Sequence, residues 1–217
     1  MGGERTSAAR LCKFLKAAAF VVSIIIVVPL VVMVWLEKVL SRSEVLFAFC
    51  SQALAPVPGF LGWWLRGAYY FATLKQCSWE THIGFGSLFT HREAVVGARL
   101  STGAYCILGR VRAGCDVRMG SRVSIPSGKR QHLDEAGRLA DVNRFDDVSV
   151  GSGCWIGEGA ILLATVGDHS IVSAGAVVTK DMPRRSLIGG NPARVLRPLD
   201  QDMTAARAEE DTSAAWD

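Results

Sequence analysis

The side chains of this 217-residue chain that invite chemistry are four histidines, six cysteines and a late group of basic residues. Imidazole has a reference pKa near 6.5, so its neutral form accepts a proton at cytosolic pH. His132 lies in Ser127-Gly-Lys-Arg-Gln-His-Leu-Asp134, within a polar stretch from Pro126 to Asp147 that interrupts an otherwise regular pattern. Excursions of about twenty residues in a compact array are uncommon, and such loops tend to carry function. By position alone a loop histidine is more often plain surface. His169 reads as a solvated corner residue, His82 as structural, and His91 in Phe89-Thr-His-Arg-Glu as a structural residue near a cleft. Gly128-Lys129 is no phosphate-binding loop, because that motif needs glycine where Val123 stands and Ser or Thr where Arg130 stands.

The pattern around the excursion has a period of six. Val150-Gly-Ser-Gly-Cys-Trp, Ile156-Gly-Glu-Gly-Ala-Ile, Val166-Gly-Asp-His-Ser-Ile and Val172-Ser-Ala-Gly-Ala-Val show it after the loop; rows from Val96, Thr102, Leu108, Ala113 and Met119 show it before. A fixed period marks a stacked array. Six residues make one short strand and one corner, and three such units close a triangular coil. The opening aliphatic and the fifth residue should point inward. Leu100, Cys106, Val117, Val123, Cys154, Ala160, Ser170 and Ala176 fill the fifth slot, mostly small or branched. Glycine in second place is expected to supply the unusual backbone angles of a corner. Coils should stack at strand spacing, roughly 4.8 Å, each burying its neighbour's face. The rival β-sandwich has no reason to keep such a period.

The front of the chain is different. Ala17 to Leu36 runs about twenty residues without a charge, long enough to span a bilayer and too long for a signal peptide. Arg5, Arg10, Lys13 and Lys16 precede it, and the positive-inside rule puts them in the cytoplasm. One crossing would then leave the repeat domain outside. Pro29 invites a kink, and a second apolar region follows at Val45 to Leu54 and from Phe60 onward. Trp63, Trp64, Tyr69 and Tyr70 beside Arg66 and Lys75 have the make-up of an interfacial helix. An embedded hairpin, or two crossings, would keep the repeat domain on the cytoplasmic face of a bacterial inner membrane. The division expected is 1–76 for membrane anchor and interfacial helices, 77–199 for the repeat domain with loop 126–147, and 200–217 for a loose tail. A net charge of +4, dispersed, argues against nucleic acid. Inward cysteines behave as small hydrophobes, so all six are expected reduced.

Trp155-Ile-Gly, Val172-Ser-Ala-Gly-Ala-Val-Val-Thr-Lys-Asp181 and Gly189-Gly-Asn-Pro-Ala-Arg-Val-Leu-Arg197 resemble the signature of the hexapeptide-repeat acetyltransferases. Pro58-Gly-Phe-Leu-Gly, Leu65-Arg-Gly-Ala-Tyr-Tyr and Cys77 resemble a membrane-associated branch that acetylates sugars and polysaccharides. The resemblance implies a mainly β fold, a left-handed parallel β-helix, assembled as a homotrimer with acetyl-CoA between adjacent prisms. It implies that His132 is the general base on a sugar or glycan hydroxyl. It carries cofactor contacts onto Glu158, Ala174, Thr179, Lys180, Arg194 and Arg197, with Lys180 and the two arginines meeting phosphates; the bland reading of those three is a solvated basic rim. Ser173 stands where the family commonly has glycine. Asp134, Glu135, Asp146 and Asp147 are open candidates to orient His132. No metal is implied: His91, His132 and His169 lack the close spacing of a γ-type carbonic anhydrase. An amino-sugar N-acetyltransferase and a non-catalytic trimeric membrane scaffold are the alternatives.

Overall fold

The computed structural model describes residues 2–41, 43–129, 131, 132, 134, 137–141 and 144–199, with side chains from Leu15 onward. The expected tail at 200–217, the carboxylate of Glu135 and the thiol of Cys12 lie outside the described residues.

Three parallel sheets form the sides of a prism. The first side carries β1 (Gln76–Cys77), β3 (Val95–Val96), β6 (Val111–Ala113) and β9 (Val148–Val150), extended by bridges through Val166 to Met182. The third carries β2 (Leu88–Phe89), β5 (Ile107–Leu108), β8 (Ser124–Ile125), β11 (Ile161–Leu162) and β13 (Val177–Val178). The second carries β4 (Ser101–Thr102), β7 (Arg118–Met119), β10 (Trp155–Ile156), β12 (Ile171–Val172) and β14 (Ser186–Gly190). It ends in β15 (Ala193–Pro198), which turns back antiparallel onto β14. The chain visits the sides in the order first, second, third, so each coil has three corners.

The interior follows the six-residue pattern. All eight fifth-place residues named above are 1% exposed or less. The polar members are satisfied by the next coil: Cys106 Sγ donates to Gly120 O at 3.1 Å, Cys154 Sγ to Gly167 O at 3.2 Å, and Ser170 Oγ to Pro183 O at 3.1 Å. Burial pushes both thiols above their usual range, so they stay protonated and reduced. The described cysteines, Cys50, Cys77, Cys106, Cys115 and Cys154, are all free.

The reason for the second-place glycines differs from the one expected. Left-handed backbone sits in fourth place, at Gly153, Gly159 and Gly175 but also at Arg99, Tyr105, Asp116, Arg122, His169 and Arg185, with φ between 53° and 59° for those six. Second-place glycines are required by crowding between coils. A Cβ would lie 2.5 Å from Ser121 N at Gly103, and 2.4 Å from Asp168 N at Gly151 and from Ala174 N at Gly157. Ser173 is accommodated because the coil above it offers another glycine, Gly189.

Helices close the start of the prism. α1 (Gly2–Leu40) runs as one helix with Pro29 inside it. Val27 and Val34, on either side of that proline, are 1% and 2% exposed against the helical layer. α2 (Val45–Leu54) and α3 (Gly59–Thr73) come from the second apolar region. At ~1.5 Å per residue, ten residues cannot span a ~30 Å hydrocarbon core. Part of α3 faces the protein interior. Tyr69 and Tyr70 are 0% exposed and Arg66 1%, contrary to the lipid-facing cluster expected. Tyr69 stacks on Phe47, and Tyr70 meets Phe89 edge-on at 4.9 Å. The first coil has an open apolar end, and these rings cover it.

A buried ion cluster ties helices to prism. Glu37 accepts from the amides of Leu46 and Phe47 at 2.8 and 3.2 Å, capping α2. Arg92, on the first coil, lies 3.8 Å from Glu37 and 3.4 Å from Glu44, and donates to the Ser43 carbonyl.

Candidate active site

The excursion leaves the third corner after β8 and returns at β9 as an irregular hairpin. Its rungs are Asp146 N to Ser127 O, Arg144 N to Gln131 O and Ala140 N to His132 O, each 2.9 Å. The tip is closed by Asp134, whose carboxylate accepts from Arg138 N and Nε, both at 2.9 Å. Gly128, at φ +92°, lets the two limbs cross: a Cβ there would lie 2.8 Å from Asp146 Cβ. His132 is exposed on the outer half of this hairpin.

The root is fixed by contacts that spacing does not reveal. Asp147 accepts from Arg110 Nε at 2.9 Å and Arg112 Nε at 2.6 Å. Partial burial raises its carboxyl pKa, but the two guanidiniums together outweigh that and hold it below the usual carboxylate range. Phe145 packs its ring against His91, centroids 4.3 Å apart, and His91 Nδ1 lies 2.8 Å from Thr90 Oγ1. Burial first, with Arg110 nearby, pulls the His91 pKa down against the opposing pull of Glu44. His91 therefore belongs to the loop's seat. Of the four carboxylates considered for orienting His132, Asp147 is held by two arginines, Asp146 lies 3.5 Å from Arg144, and Asp134 closes the tip.

The other expected site residues fall into three places. Glu158 and Ala174 share the second corner on successive coils, joined by Gly175 N donating to Glu158 O at 2.8 Å. Thr179 and Lys180 occupy the third corner, the same edge from which the His132 hairpin leaves. Arg194 and Arg197 stand on β15, opposite Gly189 and Leu187. Arg194 Nη1 donates to Ala193 O at 2.9 Å. Glu158, Ala174, Lys180, Arg194 and Arg197 are exposed and Thr179 is half-buried. Within one chain they thus lie at two corners of the prism and on its last strand. The second and third corners flank the third side of the prism, whose outward row includes Ile107 and Ile161, 52% and 37% exposed.

No family model matches the chain. Among solved structures it is similar to a maltose O-acetyltransferase from Clostridium difficile 630, with TM-score 0.64 and 22% identity over 71% of this chain and 86% of that one. A hexapeptide-repeat acetyltransferase from Vibrio cholerae gives TM-score 0.57 and 20% identity, over 71% of this chain and 90% of that one. The fold is thus the left-handed parallel β-helix of hexapeptide repeats, preceded by an apolar helix. In sequence the chain is 39% identical over 67 residues to a candidate acetyltransferase of Staphylococcus aureus (strain COL), 30% of this chain and 34% of that one. The chain thus spans about a third of the length of the first curated relatives it matches.

Proposed function

We propose that this protein transfers an acetyl group from acetyl-CoA to a hydroxyl of a sugar or glycan, with His132 as general base. The observation that carries the reading is the single long interruption of the prism, which presents an imidazole on a hairpin seated by Asp147 on Arg110 and Arg112 and by Phe145 on His91. The two fold neighbours above are named as acetyltransferases, one of them acting on the hydroxyls of maltose, and this favours oxygen as the acceptor atom.

In the proposed reaction the acceptor hydroxyl attacks the thioester carbon while His132 takes its proton. The tetrahedral intermediate collapses, the carbon–sulfur bond breaks, and the imidazolium returns the proton to the departing thiolate. A backbone N–H at a coil corner would hold the oxyanion, a contribution of about 3 kcal/mol. Lys180, Arg194 and Arg197 are exposed cations suited to the phosphates of CoA, with Glu158, Ala174 and Thr179 lining the small-residue edges. These lie on both borders of the third side, so the site is complete when another prism faces it, as in a homotrimer.

The helical layer is proposed to seat on a membrane. Leu15–Leu40 of α1 is, among the described residues, the one helix long and apolar enough to cross. Val21, Ile25, Val32, Trp35 and Leu36 are each about half exposed or more on its outer face. We place the prism at the cytoplasmic face, where acetyl-CoA is made, with a membrane-borne glycan as acceptor.

The test is incubation of the full chain with labelled acetyl-CoA and the host's membrane glycans, wild type beside His132→Ala. A loss of about a hundredfold or more is expected. Equal transfer would remove His132 from the mechanism.

A further inference from the structure

We propose that the cavity between α3 and the first two coils is a lipid-phosphate site, taking a phosphate oxygen at Arg66 and hydrocarbon against Phe60, Trp63 and Phe85. The cavity measures about 360 Å³, and Ser101 and Thr102 complete its polar side. Arg66 is 1% exposed, yet no carboxylate lies within ion-pair distance of it among the described residues. A buried charge ordinarily has a counter-charge. Its Nε donates to Ile83 O at 3.0 Å, and Nη1 to the carbonyls of Leu54, Ala55 and Val57 at 3.1, 3.1 and 2.8 Å. Those bonds staple the α2–α3 turn to the first coil and engage Nε and Nη1 of the guanidinium. They leave Nη2 without a hydrogen-bond partner among the described residues. Ser51 Oγ is the one fully enclosed side-chain N or O atom without a partner among those residues, so Nη2 is not sealed in. The open space that Arg66 borders is this cavity.

A second feature points the same way. α3 starts at the cavity, its N-cap is Pro58, which makes no side-chain cap bond, and its first turn holds no acid. Uncapped N–H groups and the positive end of the helix dipole therefore face the space where Gly59 and Phe60 line it. Lys16 lies near enough to influence His82, whose ring meets Trp63 at a tilt of 42° with centroids 4.3 Å apart. The acid there, Glu80, is paired with Arg99 at 3.7 Å. The walls are aromatic, and at the mouth Phe60 and Leu61 are 77% and 59% exposed. Free phosphate would satisfy the cationic half alone and a neutral lipid the apolar half alone; a phosphate carried on hydrocarbon satisfies both. Gly62 makes the arrangement possible, since a Cβ there would lie 1.8 Å from Val57 O and 2.7 Å from Arg66 Nη1. The cavity opens beside the second side, away from the third-corner root of the His132 hairpin, so the proposal does not depend on acetyl transfer.

The test is tryptophan fluorescence of the full chain in dodecyl maltoside, titrated separately with dioctanoyl phosphatidic acid, dioctanoylglycerol and inorganic phosphate. A saturable change is expected with the phosphatidic acid and lost in Trp63→Phe. Binding should be absent for dioctanoylglycerol and at least tenfold weaker for phosphate. Arg66→Lys should lose tenfold or more while its melting temperature shows that it folds. Because Arg66 also staples the turn, Phe60→Asp at the exposed mouth serves as the second variant and should lose as much. Dioctanoylglycerol binding as well as phosphatidic acid, free phosphate binding as tightly as the lipid, or a folded Phe60→Asp with wild-type affinity would each overturn the proposal.

Discussion

Two glycines two residues apart on one corner should respond to alanine in opposite order to what backbone angles alone suggest. Gly159 has φ +68° and open space where a Cβ would go. Gly157 lies outside the left-handed region, but its Cβ would sit 2.4 Å from Ala174 N and 2.7 Å from Ser173 C. Relief to ordinary contact at 3.4 Å needs a displacement of about 1 Å between rigid backbones. That movement strains the bonds from Gly157 N to Val172 O and from Gly175 N to Glu158 O, now 2.7 and 2.8 Å. Two hydrogen bonds at about 1 kcal/mol each, with overpacking of about 1–3 kcal/mol, put Gly157→Ala at about 3–5 kcal/mol. Gly159→Ala costs about 1–2 kcal/mol for a left-handed alanine, partly offset by a stiffer unfolded chain, leaving about 1 kcal/mol. At about 2–4 °C per kcal/mol for a chain of this size, thermal melts followed by circular dichroism should separate them clearly. The expected shifts are about 10 °C and about 3 °C. A Gly159→Ala shift equal to or larger than that of Gly157→Ala would refute the crowding argument.

Other expectations follow from the same contacts. Arg92→Met leaves Glu37 buried without its cation and should cost about 3–5 kcal/mol, while Arg92→Met with Glu37→Leu recovers part of it in a double-mutant cycle. Asp147→Asn unseats the hairpin: hydrogen exchange across 128–146 should rise and acetyl transfer fall, with the prism amides unchanged. The Asp147 pKa is depressed on folding, so its anchoring is present above the unfolded value near 4 and is lost as pH falls through the folded one. The His91 pKa is also lowered on folding, so the neutral ring is favoured and stability should drop as pH falls below about 6.5. His82 shares that direction. His91→Phe should therefore shrink, and not abolish, the fall in melting temperature between pH 7.5 and 5.5; an unchanged fall would show that His91 does not titrate against the loop.

The period of six was enough to define the prism, because each inward slot recurs within one coil and demands only that its own residue be small or aliphatic. Leu100, Cys106, Ser170 and Ala176 could be placed inside before any contact was known. The same regularity exposed the excursion and so singled out His132. What tertiary structure decided depends on partners remote in sequence. Tyr69, Tyr70 and Arg66 have the composition of a lipid-facing cluster but lie inside, because the first coil must cover its open end. Arg110 and Arg112 reach Asp147 across the whole excursion, and Phe145 reaches His91 two coils away, neither of which a local pattern encodes. Glycine in second place was legible, but its cause was not: the crowding that requires it comes from the backbone of the next coil, which exists only once the coils are stacked.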